Sequence, residues 1–299
     1  MFQPRAVLIL LTVTTALALL TGCTPNLHVA LAPENVALLD DVDCESLVIE
    51  DDISVKVIRS TAGQGWGLIG AIADKSATKK RSARAEELVP PLLDQTPDVD
   101  FRRQFADALS YTVSDIPWLN VDEVLPTATL ATAEKLKAIT SPLLRLRTLY
   151  TLTPDCCHFT INTSAWIWLP DEDKAIFWGR YFYVSDPIGD VVEEDAVAMW
   201  AENGAAAYRE AVSAGIAEVM KMVRFDLPPD GELPDIKTGN WEKLSIRDVQ
   251  TGKKLKWTCD VLDDSGDRLV LREKGGNMFS MPESVTAVAA PVSDVSDDF

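Results

Sequence analysis

Three strand-forming segments in succession, followed by a long amphipathic helix, most constrain the fold of this chain. The segments span residues 143–152, 157–169 and 175–184, and an acidic turn at 170–173 joins the last two. Alternating β-branched and aromatic residues are typical of strands, and Pro and Asp between two such runs are typical of a hairpin turn. The sequence therefore predicts an α+β fold whose centre is an antiparallel sheet.

The two faces of the middle strand differ, and the second face needs a cover. This face is polar at 160–164 and becomes aromatic at Trp166 and Trp168. We expect the long helix that follows the third strand to cover it, with Asn203-Gly204 marking a break near the start of that helix. The apolar stripe of the helix comprises Ala205, Tyr208, Val212, Ile216, Val219 and Val223. The opposite face of the strand comprises Phe159, Ile161, Ala165, Ile167 and Leu169.

Helical periodicity predicts a second main helix over residues 100–114, which Pro117 ends. Shorter helices are predicted over 82–93, where Pro90-Pro91 disturbs the pattern, and over 131–139. We expect the two main helices to cover the sheet. Additional short strands are predicted at 46–49, 54–58 and 119–124.

After residue 228 the pattern becomes purely β. Residues 229–239 are rich in Pro and Gly and are typical of a linker. Short strands then alternate over 240–290 with tight-turn sequences at 263–266 and 274–276. Strands of this length and spacing predict a separate small all-β barrel of the SH3-like or Sm-like kind.

The N-terminal residues have the three parts of a secretory signal. Arg5 gives a positive start, an apolar stretch follows over 6–20, and small residues precede Cys23. Leu20-Thr21-Gly22-Cys23 resembles the lipobox of bacterial lipoproteins. That resemblance implies removal of residues 1–22 as a signal peptide and acylation of Cys23 by diacylglycerol and a further chain such as palmitate. Thr24 in place of Asp implies the outer membrane, facing the periplasm.

These patterns divide the chain into consecutive parts. The element order is similar to periplasmic lipoproteins of the curli-secretion and penicillin-binding-protein-activator kind, which implies an envelope role by analogy. The predicted parts are a signal peptide (1–22), a lipidated tether (23–45), an α+β periplasmic domain (46–228), a linker (229–239), a small β-barrel domain (240–290) and an acidic disordered tail (291–299).

The charge balance excludes one class of partner. Acidic residues number 46 against 28 Lys and Arg, a formal net charge of −18, which becomes −19 once residues 1–22 and their single Arg are removed. A nucleic-acid binder needs a basic surface, so the sequence argues against that class. The charge instead predicts a soluble acidic globule whose copies are kept apart by mutual repulsion.

Four cysteines follow Cys23 in the chain. In an oxidising compartment, we expect Cys44 to pair with Cys156 or Cys157, or these thiols to stay reduced. Cys156 and Cys157 point to opposite faces if they lie on a strand, so a bond between them is disfavoured. His158 is the nearest imidazole and no Cys-x-x-Cys occurs, so no metal site is predicted.

Two short motifs match catalytic or cofactor patterns without their usual context. Residues 65–70 satisfy G-x-G-x-x-G, but no alternating βαβ pattern surrounds them, and a flexible Gly-rich segment or a self-association site is the alternative. Residues 76–79 match S-x-x-K, but the accompanying S-D-N and K-T-G signatures are missing. The sequence therefore predicts no cofactor and no catalytic residue.

Two groups of residues are candidates for binding. The densest basic cluster includes Lys79, Lys80, Arg81 and Arg84, and it suits phosphates, acidic glycan peptides or lipid headgroups. The aromatic cluster of the meander is expected mainly in the core, with Trp178 and Arg180 exposed on one face.

The combined pattern predicts an outer-membrane-anchored, non-enzymatic module that binds an envelope protein or polymer. One alternative is a cell-envelope hydrolase whose site assembles from residues distant in sequence. Another is a structural lipoprotein that forms homo-oligomers through its Gly-rich segment. An exposed aromatic or basic patch favours binding, and a deep pocket with converging polar groups favours the enzyme.

Overall fold

The computed structural model describes residues 28–50, 52–55, 87–129, 139–172, 174–235, 238–247, 254–283 and 286–287. The helices are α1 (Pro33–Val36), α2 (Pro90–Leu93), α3 (Phe101–Ser114) and α4 (Glu194–Asp226), with a 3-10 turn at Pro117–Leu119. The strands are β1 (Asp43–Val48), β2 (Ser54–Val55), β3 (Val124–Thr127), β4 (Leu143–Leu152), β5 (Phe159–Trp168), β6 (Phe177–Val184), β7 (Trp241–Arg247), β8 (Lys254–Asp263), β9 (Arg268–Glu273), β10 (Met278–Pro282) and β11 (Thr286–Ala287).

The described strands form one mixed sheet rather than a purely antiparallel one. Its 11 strands run in the order β11-β7-β8-β9-β10-β6-β5-β4-β1-β3, with β2 beside β4. The meander β4-β5-β6 is antiparallel as predicted. On either side of it the pairing is parallel, with β1 along β4 and β10 along β6. The predicted antiparallel sheet is therefore wrong, because strands distant in sequence pair with both edges of the meander.

The predicted separate barrel is also wrong. Strands β7 to β10 form an antiparallel run, but β10 pairs with β6 and so continues the same sheet. Phe182 of β6 stacks on Phe279 of β10 with 4.9 Å between ring centroids. In a separate barrel, the edge of β10 would have to pair with another strand of that barrel. Here the backbone groups of this edge pair with β6 instead. Beside the main core there is accordingly a second cluster of buried apolar residues, which contains Phe182 of β6 together with Leu244, Ile246, Cys259, Leu269, Leu271, Phe279 and Met281.

The two main helices cover a single face of the meander. On α4, a Cβ at Gly215 would lie 2.7 Å from Ile161, so helix and sheet are in close contact. The Tyr208 and Phe159 rings are 5.6 Å apart, edge to face. Residue Phe101 of α3 stacks on Tyr150 at 3.9 Å. Both helices therefore lie on the apolar face, and the expectation that α4 covers Trp166 and Trp168 is wrong.

Local signals placed the helices well. Asp100 caps α3, accepting a hydrogen bond from the Arg103 amide at 2.9 Å. The predicted break in α4 is confirmed, since Asn203 and Gly204 have left-handed backbone angles with φ of 52° and 68°. At Pro90 the prediction fails, because the proline begins the described helix α2 instead of ending one. Of the helix predicted over 131–139, residues 131–138 lie outside the described residues.

The segment expected to be a tether joins the folded body from His28 onward. Val29 forms an isolated antiparallel bridge with Trp178 of β6. Leu31, Leu39 and Val42 are buried against the core. Apolar side chains spaced along 28–45 therefore fix a stretch whose Pro and Asn content suggested a linker.

Candidate functional site

One face of the meander is left partly open, because both main helices lie on the other face. We define the Trp–Arg face as Arg147 of β4, Trp166 and Trp168 of β5, and Trp178 and Arg180 of β6. All five side chains are partly exposed. Side chains alternate between the two faces of a strand, so the residues between them point into the helix-covered core.

The tryptophans of this face pack on one another. The ring centroids of Trp166 and Trp168 are 5.7 Å apart, and those of Trp166 and Trp178 are 6.0 Å apart. Beside them, the guanidinium of Arg145 lies 5.8 Å from the Trp168 ring centroid and its Nε donates to Glu45 at 2.6 Å. The three indoles thus form a supported aromatic surface.

Two donors on the Trp–Arg face have no hydrogen-bond acceptor among the described residues. They are Nε1 of Trp178 and Nε of Arg147. A buried donor left unpaired costs about 1–3 kcal/mol. Both donors are therefore available to an acceptor from outside the described fold.

The guanidinium of Arg180 sits in an apolar setting. It lies 4.9 Å from the Phe182 ring centroid. Burial lowers the pKa of Arg180, and the charge of Glu273 acts in the opposite direction. Burial also raises the pKa of Glu273, whose carboxylate accepts a hydrogen bond from Asn277. Trp178 and Arg180, which the sequence predicts to be exposed on one face, lie on the same face of β6, but each is only partly exposed.

A second surface feature is a cleft of about 600 Å³ between α3 and α4. Tyr111 borders it and is 70% exposed. The two cationic side chains that line the cleft are already neutralised, because Lys221 pairs with Asp263 and Arg224 pairs with Asp115 at 2.5 Å. The cleft therefore offers less unpaired charge than the Trp–Arg face.

The loop between β4 and β5 holds the cysteines and the histidine that the sequence singled out. The Cys157 thiol donates to the Val191 carbonyl at 2.7 Å. Nδ1 of His158 lies 2.8 Å from the Ser185 carbonyl oxygen, which can only accept, so Nδ1 carries the proton. Burial raises the pKa of Cys156 to about 12 and that of Cys157 to about 11. Burial thus holds both thiols protonated, and the Cys157 thiol is also hydrogen-bonded within the fold.

Protonated thiols are expected to react slowly in the folded protein. With a pKa of about 11 for Cys157, alkylation by iodoacetamide at pH 8 should be roughly 200-fold slower in the native protein than in urea, where an ordinary thiol pKa near 8.5 applies. The native rate should rise about tenfold per pH unit from pH 8 to 10, because the thiolate fraction rises so. Mass spectrometry of the labelled peptides measures both. Equal native and unfolded rates at pH 8 would contradict the expectation.

All four described cysteines, Cys44, Cys156, Cys157 and Cys259, are free thiols. The register sets Cys44 of β1 beside Leu144, at the start of β4. Cys156 and Cys157 follow the other end of β4, and the strand from Leu144 to Leu152 is about 26 Å long. A disulfide needs Cα atoms within about 7 Å. The expected bridge from Cys44 to Cys156 or Cys157 is therefore not formed in this structure.

A buried polar cluster joins the N-terminal segment to the core. The Asp226 carboxylate, at the end of α4, accepts from the Tyr181 hydroxyl at 3.1 Å and from Arg272 at 3.0 Å. Nε2 of His28 is 3.6 Å from the same carboxylate. Burial raises the pKa of Tyr181, and the Asp226 charge adds to this effect. The group has a structural role, because each side chain is largely buried and the contacts hold the N-terminal segment against the core.

Several predicted sites fall outside the described residues. These are the lipidation site Cys23, the glycine-rich motif at 65–70, the S-x-x-K motif at 76–79 and the basic cluster of Lys79, Lys80, Arg81 and Arg84. In the described part of the chain, no group of three or more His, Cys, Asp or Glu side chains is placed to hold a metal ion. The described helices also include none long and apolar enough to cross a membrane.

Sequence reasoning missed Arg147 as a site residue and assigned Trp166 and Trp168 to the core. The signal for all three was their position on the face of the meander opposite the apolar stripe. No protein-family model matches the chain, and no curated protein matches it. The functional inference therefore depends on the geometry of the Trp–Arg face and on the N-terminal sequence.

Proposed function

We propose that this chain is an outer-membrane lipoprotein, anchored through Cys23 and facing the periplasm, whose folded body binds an envelope protein or polymer without catalysing a reaction. The Trp–Arg face is the binding surface. The observation that carries the proposal is this partly open group of three tryptophans and two arginines on a chain of net charge −18. Trp and Arg are the residues most enriched where proteins make energetic contacts with a partner.

The anchor has its own test. Replacing Cys23 with serine removes the thiol that would carry the lipid, so a metabolically incorporated fatty-acid label should be lost. The variant should also move from the membrane fraction to the soluble envelope fraction, because a protein without acyl chains has no stable attachment. Mass spectrometry of the N-terminal peptide checks the modification. An unchanged membrane fraction for Cys23→Ser would contradict lipid anchoring.

Site-specific crosslinking tests the binding surface. A photoreactive residue placed at Ser164, at the centre of the Trp–Arg face, should crosslink a dominant envelope component in cells. The control position is Arg103 on α3, whose side chain is 79% exposed. Removing residues 240–299 is a poor control, because β10 pairs with β6 and the deletion would expose the core around Phe182.

The variant Trp178→Ala with Arg180→Gln should reduce the crosslinked product from Ser164 at least fivefold. Equal products from Ser164 and Arg103 would overturn the Trp–Arg face as the binding surface. Crosslinks between copies of this chain alone would instead support the self-associating alternative.

A further inference from the structure

Two arginines flank one hydroxyl across the three strands of the meander. Arg147 of β4 is directly opposite Ser164 of β5, and Ser164 is directly opposite Arg180 of β6. Strands are spaced by about 4.8 Å, so about 10 Å separates the two arginine Cα atoms. The Arg180 guanidinium rests over the Phe182 ring, and a change of rotamer brings it within reach of an anion that Arg147 binds above Ser164. We infer that Arg147, Ser164 and Arg180 form a carboxylate-binding site that takes the acidic groups of a cell-wall glycan peptide.

Neither arginine has a counter-ion in the described part of the chain. Among the described residues, no carboxylate lies within 4.0 Å of Arg147 or Arg180, and none accepts from Nε of Arg147. Glu273 is the acid that influences Arg180 electrostatically, but it forms no ion pair with it and is itself partly buried. Partly burying a guanidinium without a partner is costly, so an external anion is a natural complement.

Other arginines of the same sheet provide an internal comparison. Arg145, on the same strand as Arg147, pairs with Glu45. Arg272 of β9 pairs with Asp226 at 3.0 Å. Both are buried, and each has its own carboxylate. The sheet therefore neutralises its structural arginines, and leaves Arg147 and Arg180 for a ligand.

The surroundings of the pair favour a sugar chain over an extended peptide. Trp166 and Trp178 occupy the neighbouring row on one side, and Asn162 lies in the row on the other side. Indole rings attract the C–H groups of a pyranose ring, and an amide bonds to its hydroxyl groups. Strands β4, β5 and β6 are paired at both edges, so no free backbone edge is available for peptide addition.

This inference rests on the proposed binding role and names the ligand class for it. Planar carboxylates match the two-pronged hydrogen bonding of guanidinium groups, which a lysine could not reproduce. A glycan strand with carboxylate-bearing peptide stems supplies the acid for the arginine pair and the sugar rings for the tryptophans.

Co-sedimentation with insoluble cell-wall glycan peptide tests the inference. The full chain, purified from membranes in a non-ionic detergent, is mixed with native cell wall, with cell wall whose carboxylates are converted to amides, and with chitin as a neutral glycan. Arg147→Gln combined with Arg180→Gln should raise the apparent Kd for native cell wall at least tenfold. Amidation should do the same to the unmodified chain, and chitin should bind weakly.

The matched control is Arg103→Gln, which removes one exposed charge from α3 and should leave the Kd within twofold. Circular dichroism and urea unfolding verify that the double variant is folded. Equal binding to native and amidated cell wall, or an unchanged Kd for the double variant, would overturn the inference. Competition by polyglutamate as strong as by soluble cell-wall fragments would assign the face to acidic peptides instead. A protein crosslinked from Ser164 without any cell-wall binding would sink the inference and leave the proposed function standing.

Discussion

Replacing Asp226 with alanine is expected to lower the free energy of unfolding by about 3–5 kcal/mol. Asp226 is 3% exposed, and its carboxylate accepts hydrogen bonds from the Tyr181 hydroxyl and from Arg272. Its removal leaves the Arg272 guanidinium buried without a counter-charge and removes the acid beside His28. Urea denaturation followed by tryptophan fluorescence measures the change.

The matched control is Asp107→Ala. Asp107 pairs with Arg103 at 3.8 Å on the surface of α3, and its side chain is 73% exposed. Exposed pairs of this kind contribute about 0.3–0.5 kcal/mol. A loss below about 1 kcal/mol for Asp226→Ala would mean that Arg272 finds solvent or another partner easily, contrary to the enclosed cluster.

Replacing Gly276 with alanine is expected to destabilise the fold by about 2–4 kcal/mol, combining a strained backbone with a steric overlap. Gly276 has φ of +85°, and an added Cβ would lie 2.3 Å from the His28 ring. The substitution should displace the His28 side chain from its buried position. Urea denaturation measures the stability, and limited proteolysis should show faster cleavage near residues 28–31.

Gly266→Ala is the control for this effect. Gly266 lies in the turn between β8 and β9, and nothing lies within 4 Å of a Cβ added there. Its stability should change by less than about 1 kcal/mol. If Gly276→Ala behaved like Gly266→Ala, with no added cleavage near residue 28, the buried position of His28 would not depend on the absence of a Cβ at residue 276.

The parts of the fold that were predicted correctly are those set by short-range periodicity. Strands β4, β5 and β6 follow the alternation of side chains, and α3 follows its apolar stripe from the Asp100 cap. Even the break at Asn203-Gly204 was visible, since both residues tolerate left-handed backbone angles. Each of these signals lies within one element and needs no knowledge of its neighbours.

Strand partnership was not predictable in the same way. The turns after residue 240 signal antiparallel hairpins correctly, but nothing local indicates that β10 pairs with β6, whose partner residues lie 97 positions earlier in the chain. The parallel pairing of β1 with β4 is equally long-range. Short strands and tight turns suit a closed barrel and a curled sheet extension alike, so the barrel was inferred from an ambiguous pattern.

The candidate site was predictable only in part for a related reason. Trp178 and Arg180 were singled out from the composition of β6. Arg147 becomes a candidate site residue only through the register that places it beside Ser164 and in the same row as Arg180. That register depends on the pairing of three strands, which no single segment of sequence specifies. The open state of the face depends on which side of the sheet α4 packs against, which its apolar stripe alone does not specify.

The buried position of His28 has a consequence for the proposed lipid anchor. If Cys23 carries the lipid, five peptide units separate the anchor from a buried residue, a leash of at most about 18 Å. Val29, next in the chain, is bonded through its backbone to Trp178. With that anchor, the reach of the protein would be set by the dimensions of its folded body, and its binding partner would have to lie close to the bilayer.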